Sequence, residues 1–137
     1  MANKKVLFVE DRESDAKLLL EAFKQVNRNI SLEVINDGDK AIKYVELLAK
    51  SADKPLPDLI ILDIKLPKKD GREVLKVIKS KERLKEIPVV MFTNSTEKSD
   101  IQDSYESKVS TYLTKPLEMK ELIETVQFMV QTWLRDK

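Results

Sequence analysis

Neither cysteine nor histidine occurs among the 137 residues. The first absence excludes a disulfide framework, a zinc-thiolate site and a thiol nucleophile, and it suits a reducing compartment. The second excludes histidine-based acid/base catalysis and histidine metal sites, leaving carboxylate, hydroxyl and lysine chemistry. A dominant charge is missing too. With 25 Lys and Arg against 24 Asp and Glu, no global field recruits nucleic acid or an anionic membrane, so partners are selected locally. The N-terminus runs Met1-Ala2-Asn3-Lys4-Lys5 into a four-residue apolar run, too short for a signal sequence, and no stretch approaches membrane-spanning length. These features predict a soluble, cytoplasmic protein that forms a single domain over 1–137, with no output domain after its last helix.

What is present is an apolar run that ends in acid. Leu59-Ile60-Ile61-Leu62 is preceded by Pro55, Pro57 and Asp58 and closed by Asp63. It reads as a buried strand whose last residue emerges at the carboxyl edge of a sheet, because burying a lone charge there is costly. Val6-Leu7-Phe8-Val9 ends the same way, in Glu10-Asp11. Strands are predicted near 4–9, 30–35, 58–63, 87–93 and 109–114, and helices near 14–27, 38–50, 71–81, 97–107 and 118–135. Asp37-Gly38 and Asp70-Gly71 open the second and third helices as turn signals.

This alternation implies a parallel sheet covered on both faces and wound right-handed. The second strand alternates Ile30, Leu32 and Val34 with Ser31 and Glu33, the pattern of an edge strand with a wetter face. The first, third and fourth do not alternate and belong in the middle. The order 2-1-3-4-5, a flavodoxin-like doubly wound α/β fold, satisfies this and brings Glu10, Asp11 and Asp63 together at the switch point.

An acid after a strand is ordinarily a helix cap or a solvated loop residue. Here, however, the fourth strand ends in Thr93 and the fifth in Lys115-Pro116, so adjacent strand ends present an acid pair, an acid, a hydroxyl and an ammonium. The ordered set Val9-Glu10-Asp11, Asp37-Gly38 with Ala41, Leu62-Asp63 with Pro67 and Asp70-Gly71, Phe92-Thr93, Tyr112 and Lys115-Pro116 resembles the receiver domain of two-component response regulators across essentially the whole chain. The predicted strand order is that of the chemotaxis regulator of this family.

A carboxylate can attack a phosphoryl group to form an acyl phosphate, and Asp63 is the candidate acceptor. Clustered acids need a divalent cation to neutralise them, and an all-oxygen site suits Mg²⁺. The resemblance implies that Asp11, Asp63 and the Lys65 carbonyl ligate the ion, with Glu10 acting through water. It further implies that Thr93 and Lys115 bind phosphoryl oxygens, that Thr93 and Tyr112 form a switch, and that Lys115-Pro116 is cis. With no histidine in the chain, the phosphodonor acts in trans: a sensor histidine kinase or a phosphotransfer protein. Lys65, Asn94 and Ser95 depart from the common pattern at positions that govern access to the phosphoryl group.

Two other classes share parts of this pattern. A flavodoxin-type electron carrier would offer hydroxyls and amides to a flavin phosphate, where Glu10-Asp11-Arg12-Glu13 stands instead. A haloacid-dehalogenase-type phosphatase normally carries an aspartate two residues after its nucleophile, where Lys65 stands. Mg²⁺-dependent labelling of Asp63, flavin absorbance and ester turnover separate the three.

Surface expectations follow from helical spacing. On the first helix Ala16, Leu19, Leu20 and Phe23 share the core face, so Leu18 and Ala22 point away and, with Leu117, mark a kinase contact. The fourth helix has only Ile101 and Tyr105 as a narrow apolar stripe and is expected to be loosely held. On the fifth helix Met119, Leu122, Ile123, Val126, Met129, Val130, Trp133 and Leu134 fill a core-facing arc, and Phe128 lies opposite it. With Tyr105 it predicts a homodimer or downstream-target surface. The segment Leu48–Pro57, the Pro67–Arg72 loop and Trp133-Leu134 resemble single-domain regulators that partner bacterial phytochrome kinases.

Overall fold

The computed structural model describes residues 3–135. Five strands, β1 (Lys4–Val9), β2 (Ile30–Ile35), β3 (Leu59–Leu62), β4 (Val89–Thr93) and β5 (Thr111–Thr114), alternate with α1 (Glu13–Val26), α2 (Gly38–Lys50), α3 (Gly71–Ser80), α4 (Lys98–Glu106) and α5 (Met119–Trp133). The strands form one parallel sheet in the order β2-β1-β3-β4-β5, as predicted.

Period-two alternation within the central strands divides the core. Leu7, Val9, Ile60, Leu62, Val89 and Met91 face one side, against Ala41 and Val45 of α2 and Val74, Leu75 and Ile78 of α3. Val6, Phe8, Leu59, Ile61, Val90 and Phe92 face the other, against Ala16, Leu19 and Phe23 of α1 and Leu122, Val126 and Met129 of α5. Each of the larger side chains, Val, Leu, Ile, Phe or Met, contributes about 1.5–3 kcal/mol by its burial. Glu10, Asp63, Thr93 and Lys115 emerge at one edge of a sheet packed on both faces.

Both Asp-Gly pairs begin helices. Asp37 caps α2 by accepting from the Lys40 N–H at 2.7 Å, and Asp70 caps α3 by accepting from the Arg72 N–H at 2.7 Å. Close approach of backbone explains why glycine follows each. A Cβ on Gly38 would lie 1.8 Å from the Lys69 carbonyl oxygen, and one on Gly71 would lie 1.9 Å from that of Asp63.

Four expectations need correction. Ala22 is buried rather than exposed, because α5 runs alongside α1 and closes a second seam that the single sheet-facing stripe did not include. The buried face of α4 is Asp100 and Ser104, not Ile101 and Tyr105; hydrogen bonds stand in for apolar packing, since Ser104 Oγ donates to the Asp100 carbonyl at 2.8 Å. Lys115-Pro116 is trans, as is every peptide bond among the described residues. The Lys115 N–H donates to the Thr93 carbonyl at 2.9 Å, and the long side chain spans the remaining distance to the pocket. Val34, on the apolar face of β2, is 40% exposed and lines an open groove with Ala16, Lys17 and Leu20 of α1.

Candidate functional site

Each strand end delivers one group to a common edge. Glu10 follows β1 and is almost wholly buried, Asp11 beside it is exposed, and Asp63 follows β3 and is buried. Ligand oxygens of Glu10, Asp11 and Asp63 lie within 4.8 Å of one another. That spacing and an all-carboxylate donor set fit one hard divalent cation. Asp11, Arg12, Asp63, Lys65, Thr93 and Asn94 line an open cleft of about 360 Å³ beside them.

Local hydrogen bonds orient these groups. The Asp63 N–H donates to the Val9 carbonyl at 3.1 Å, tying the acceptor candidate to the end of β1. The Lys65 N–H donates to Asp63 Oδ1 at 3.3 Å, and the Arg12 N–H to Glu10 Oε2 at 3.1 Å. Thr93 is fully buried at the end of β4, and its hydroxyl accepts the Ser95 N–H at 3.4 Å.

Lys115 draws the cluster together. Its ammonium donates to Asp63 Oδ2 at 2.8 Å, to Asp15 Oδ2 at 2.8 Å and to Glu10 Oε1. Burial by itself would lower the lysine's affinity for its proton. Hydrogen bonds to Asp15, Asp63 and Glu10 outweigh that effect and raise it, so Lys115 stays cationic. Burial pushes the Glu10 carboxyl up to about 7, and the Asp63 charge adds to this while the Lys115 hydrogen bond opposes it. The two directions are compatible because several carboxylates share a single ammonium.

Beyond the cleft, a polar chain leads to α4. The Tyr112 hydroxyl donates to the Ser95 carbonyl at 2.8 Å, Ser95 Oγ donates to Asp100 Oδ2, and Asp100 Oδ1 accepts from Arg72 Nη1 at 2.9 Å. Tyr105 is half-exposed, and its hydroxyl accepts the Tyr112 N–H at 3.2 Å.

Asp15, Arg72 and Asp100 went unnoticed in the sequence. Acids in the first turn of a helix ordinarily report only its dipole, and that reading conceals Asp15. Nothing in the spacing pairs Arg72 with residues 28 and 31 positions away.

The surface candidates divide. Leu18 and Leu117 are exposed, the latter at 97%, and line a groove of about 260 Å³ with Arg12, Asp15, Lys115 and Pro116. Phe128 is 46% exposed and packs edge-to-face on Trp133, with ring centres 5.6 Å apart.

Comparison with known proteins adds an independent line. Residues 6–127 match the response regulator receiver domain. The chain is 41% identical over 131 residues to the response regulator Rcp1 of Synechocystis sp., covering 96% of this chain and 89% of that protein. It is similar to the crystal structure of the phosphorylated cyanobacterial phytochrome response regulator RcpA, with a TM-score of 0.88 and 40% identity, over 97% of this chain and 95% of that one. The Mn²⁺-bound crystal structure of Rcp1 gives a TM-score of 0.84 at 40% identity, over 98% and 96% of the two chains.

Proposed function

We propose that this chain, which belongs to the response regulator receiver domain family, accepts a phosphoryl group on Asp63 and signals through a change in its α4-β5-α5 surface. The observation that carries this reading is the meeting of Glu10, Asp11, Asp63, Thr93 and Lys115 at one sheet edge. In the proposed step an Asp63 oxygen attacks the phosphorus of a phosphohistidine. The P–N bond breaks, its electron pair leaves with the imidazole, and an acyl phosphate forms.

Glu10, Asp11, Asp63 and the Lys65 carbonyl would hold the divalent cation, for which Mg²⁺ is the proposed ion. When bound, it offsets charge on the transferring oxygens. Lys115 donates to a phosphoryl oxygen, exchanging its bond to Asp63 Oδ2 for the new one. The Thr93 hydroxyl donates to another, and both donors stabilise the charge that develops during transfer.

Because these residues include no histidine, the phosphohistidine donor lies outside them. We read it as a sensor histidine kinase, of phytochrome type by likeness to RcpA, or a phosphotransfer protein. Thr93 Oγ1 accepts the Ser95 N–H, so a shift of the Thr93 side chain toward the phosphoryl group pulls on Ser95, which is bonded to both Tyr112 and Asp100. That loop is therefore the proposed path from the acceptor to α4.

Labelling by a small phosphodonor such as phosphoramidate tests the reading. Wild type is expected to be labelled in a Mg²⁺-dependent way and Asp63→Asn not at all. Stoichiometric, acid-stable modification of Asp63→Asn would defeat it, as would flavin binding or turnover of phosphate esters by the wild type.

A further inference from the structure

An ammonium has three N–H donors, and all three of Lys115 are engaged, by Glu10, Asp63 and Asp15. Glu10 and Asp63 belong to the proposed cation and acceptor set. Asp15 lies outside that group of mutually close oxygens; it sits in the first turn of α1, with its side chain three-quarters buried. Asp15 and Lys115 both line the groove that holds Leu18, Pro116 and Leu117, whereas neither lines the cleft of Asp63 and Thr93.

We infer that Asp15 is a positioning residue that draws the Lys115 ammonium toward the groove, so that its hold on Glu10 and Asp63 is shared with a third carboxylate and yields to the divalent cation and the incoming phosphoryl group. The inference rests on the phosphoacceptor reading above. With two carboxylate partners instead of three, the ammonium would settle between Glu10 and Asp63 and neutralise the charges that must attract the cation. A third carboxylate at 2.8 Å, equal to the Asp63 contact, divides the lysine's attention. The general preference for acids at helix N-termini accounts for an acid in this turn, but not for one turned onto a buried lysine 100 residues away in sequence.

A double-mutant cycle on Mg²⁺ binding, measured by calorimetry with the full chain, tests the inference. Asp15→Ala is expected to raise the Mg²⁺ dissociation constant by about threefold to tenfold, a coupling of ordinary size for residues in contact. Asp15→Asn, which keeps an oxygen acceptor but loses the charge, moves in the same direction by less. In a Lys115→Ala background the effect of Asp15→Ala is expected to shrink to within about twofold of none. An unchanged or tighter dissociation constant in Asp15→Ala overturns the inference. So does a loss of equal size in both backgrounds, which would reduce Asp15 to a bare charge near the site. Failure of the phosphoacceptor reading shows separately, as wild-type protein that binds Mg²⁺ without Asp63 labelling.

Discussion

The Arg72 guanidinium donates to the Asp100 carboxylate at 2.9 Å, joining the start of α3 to the inward face of α4. Arg72 also pairs with Asp70 at 3.0 Å and with the exposed Asp103 at 3.1 Å. A helix with little apolar surface to bury is thereby held by a charged clamp.

Removing the clamp leaves the Asp100 carboxylate, only 4% exposed, without its cationic partner. Arg72→Ala is expected to destabilise the fold by about 2–3 kcal/mol and to lower hydrogen-exchange protection across 98–106 first. Asp103→Asn, at an exposed pair, is expected to cost about 0.5 kcal/mol. Equal losses of protection in α1 and α4 of Arg72→Ala would show that no local clamp exists.

Glu10 links cation binding to pH. Its folded value of about 7 lies above the ordinary 4.5, so the proton's contribution to stability is full below about 4.5 and lost as pH rises through about 7. In chelator, Tm is expected to fall from pH 5 to pH 7.5 and to be restored by Mg²⁺, whose affinity rises over the same window because it displaces that proton. Glu10→Gln is expected to flatten both dependences.

Gly71→Ala forces a methyl group against the Asp63 carbonyl. The expected cost is about 1–3 kcal/mol, with a slower rate of Asp63 labelling because the acceptor's own backbone must shift. Gly38→Ala meets Lys69 instead and is expected to cost comparable stability with less effect on labelling. Urea melts and phosphoramidate labelling of the two variants distinguish them.

Leu18 lies in the groove beside Lys115. Leu18→Asp is expected to slow transfer from a cognate kinase by about tenfold or more, the effect of losing an interface anchor, while leaving small-donor labelling intact. Equal loss with both donors would trace the defect to the fold.

Phe128 offers an apolar ring already braced by Trp133. Phe128→Glu is expected to weaken self-association of the beryllofluoride-activated protein in sedimentation without lowering Asp63 labelling. An unchanged association constant would remove Phe128 from the interface.

Strand order, and the delivery of Glu10, Asp11, Asp63, Thr93 and Lys115 to one edge, were legible in the sequence because their causes are local. Short apolar runs form buried strands, and a polar residue closing such a run must leave the core at the strand's end. Which face a helix buries is decided by what packs on it. Ala22 is covered by α5 as well as by the sheet, and α4 turns Asp100 and Ser104 inward because Arg72, Ser95 and their hydrogen bonds await them there. The third partner of Lys115 was hidden for the same reason. Asp15 and Lys115 are 100 residues apart, and only the parallel winding that sets α1 beside the end of β5 brings their charges within 2.8 Å.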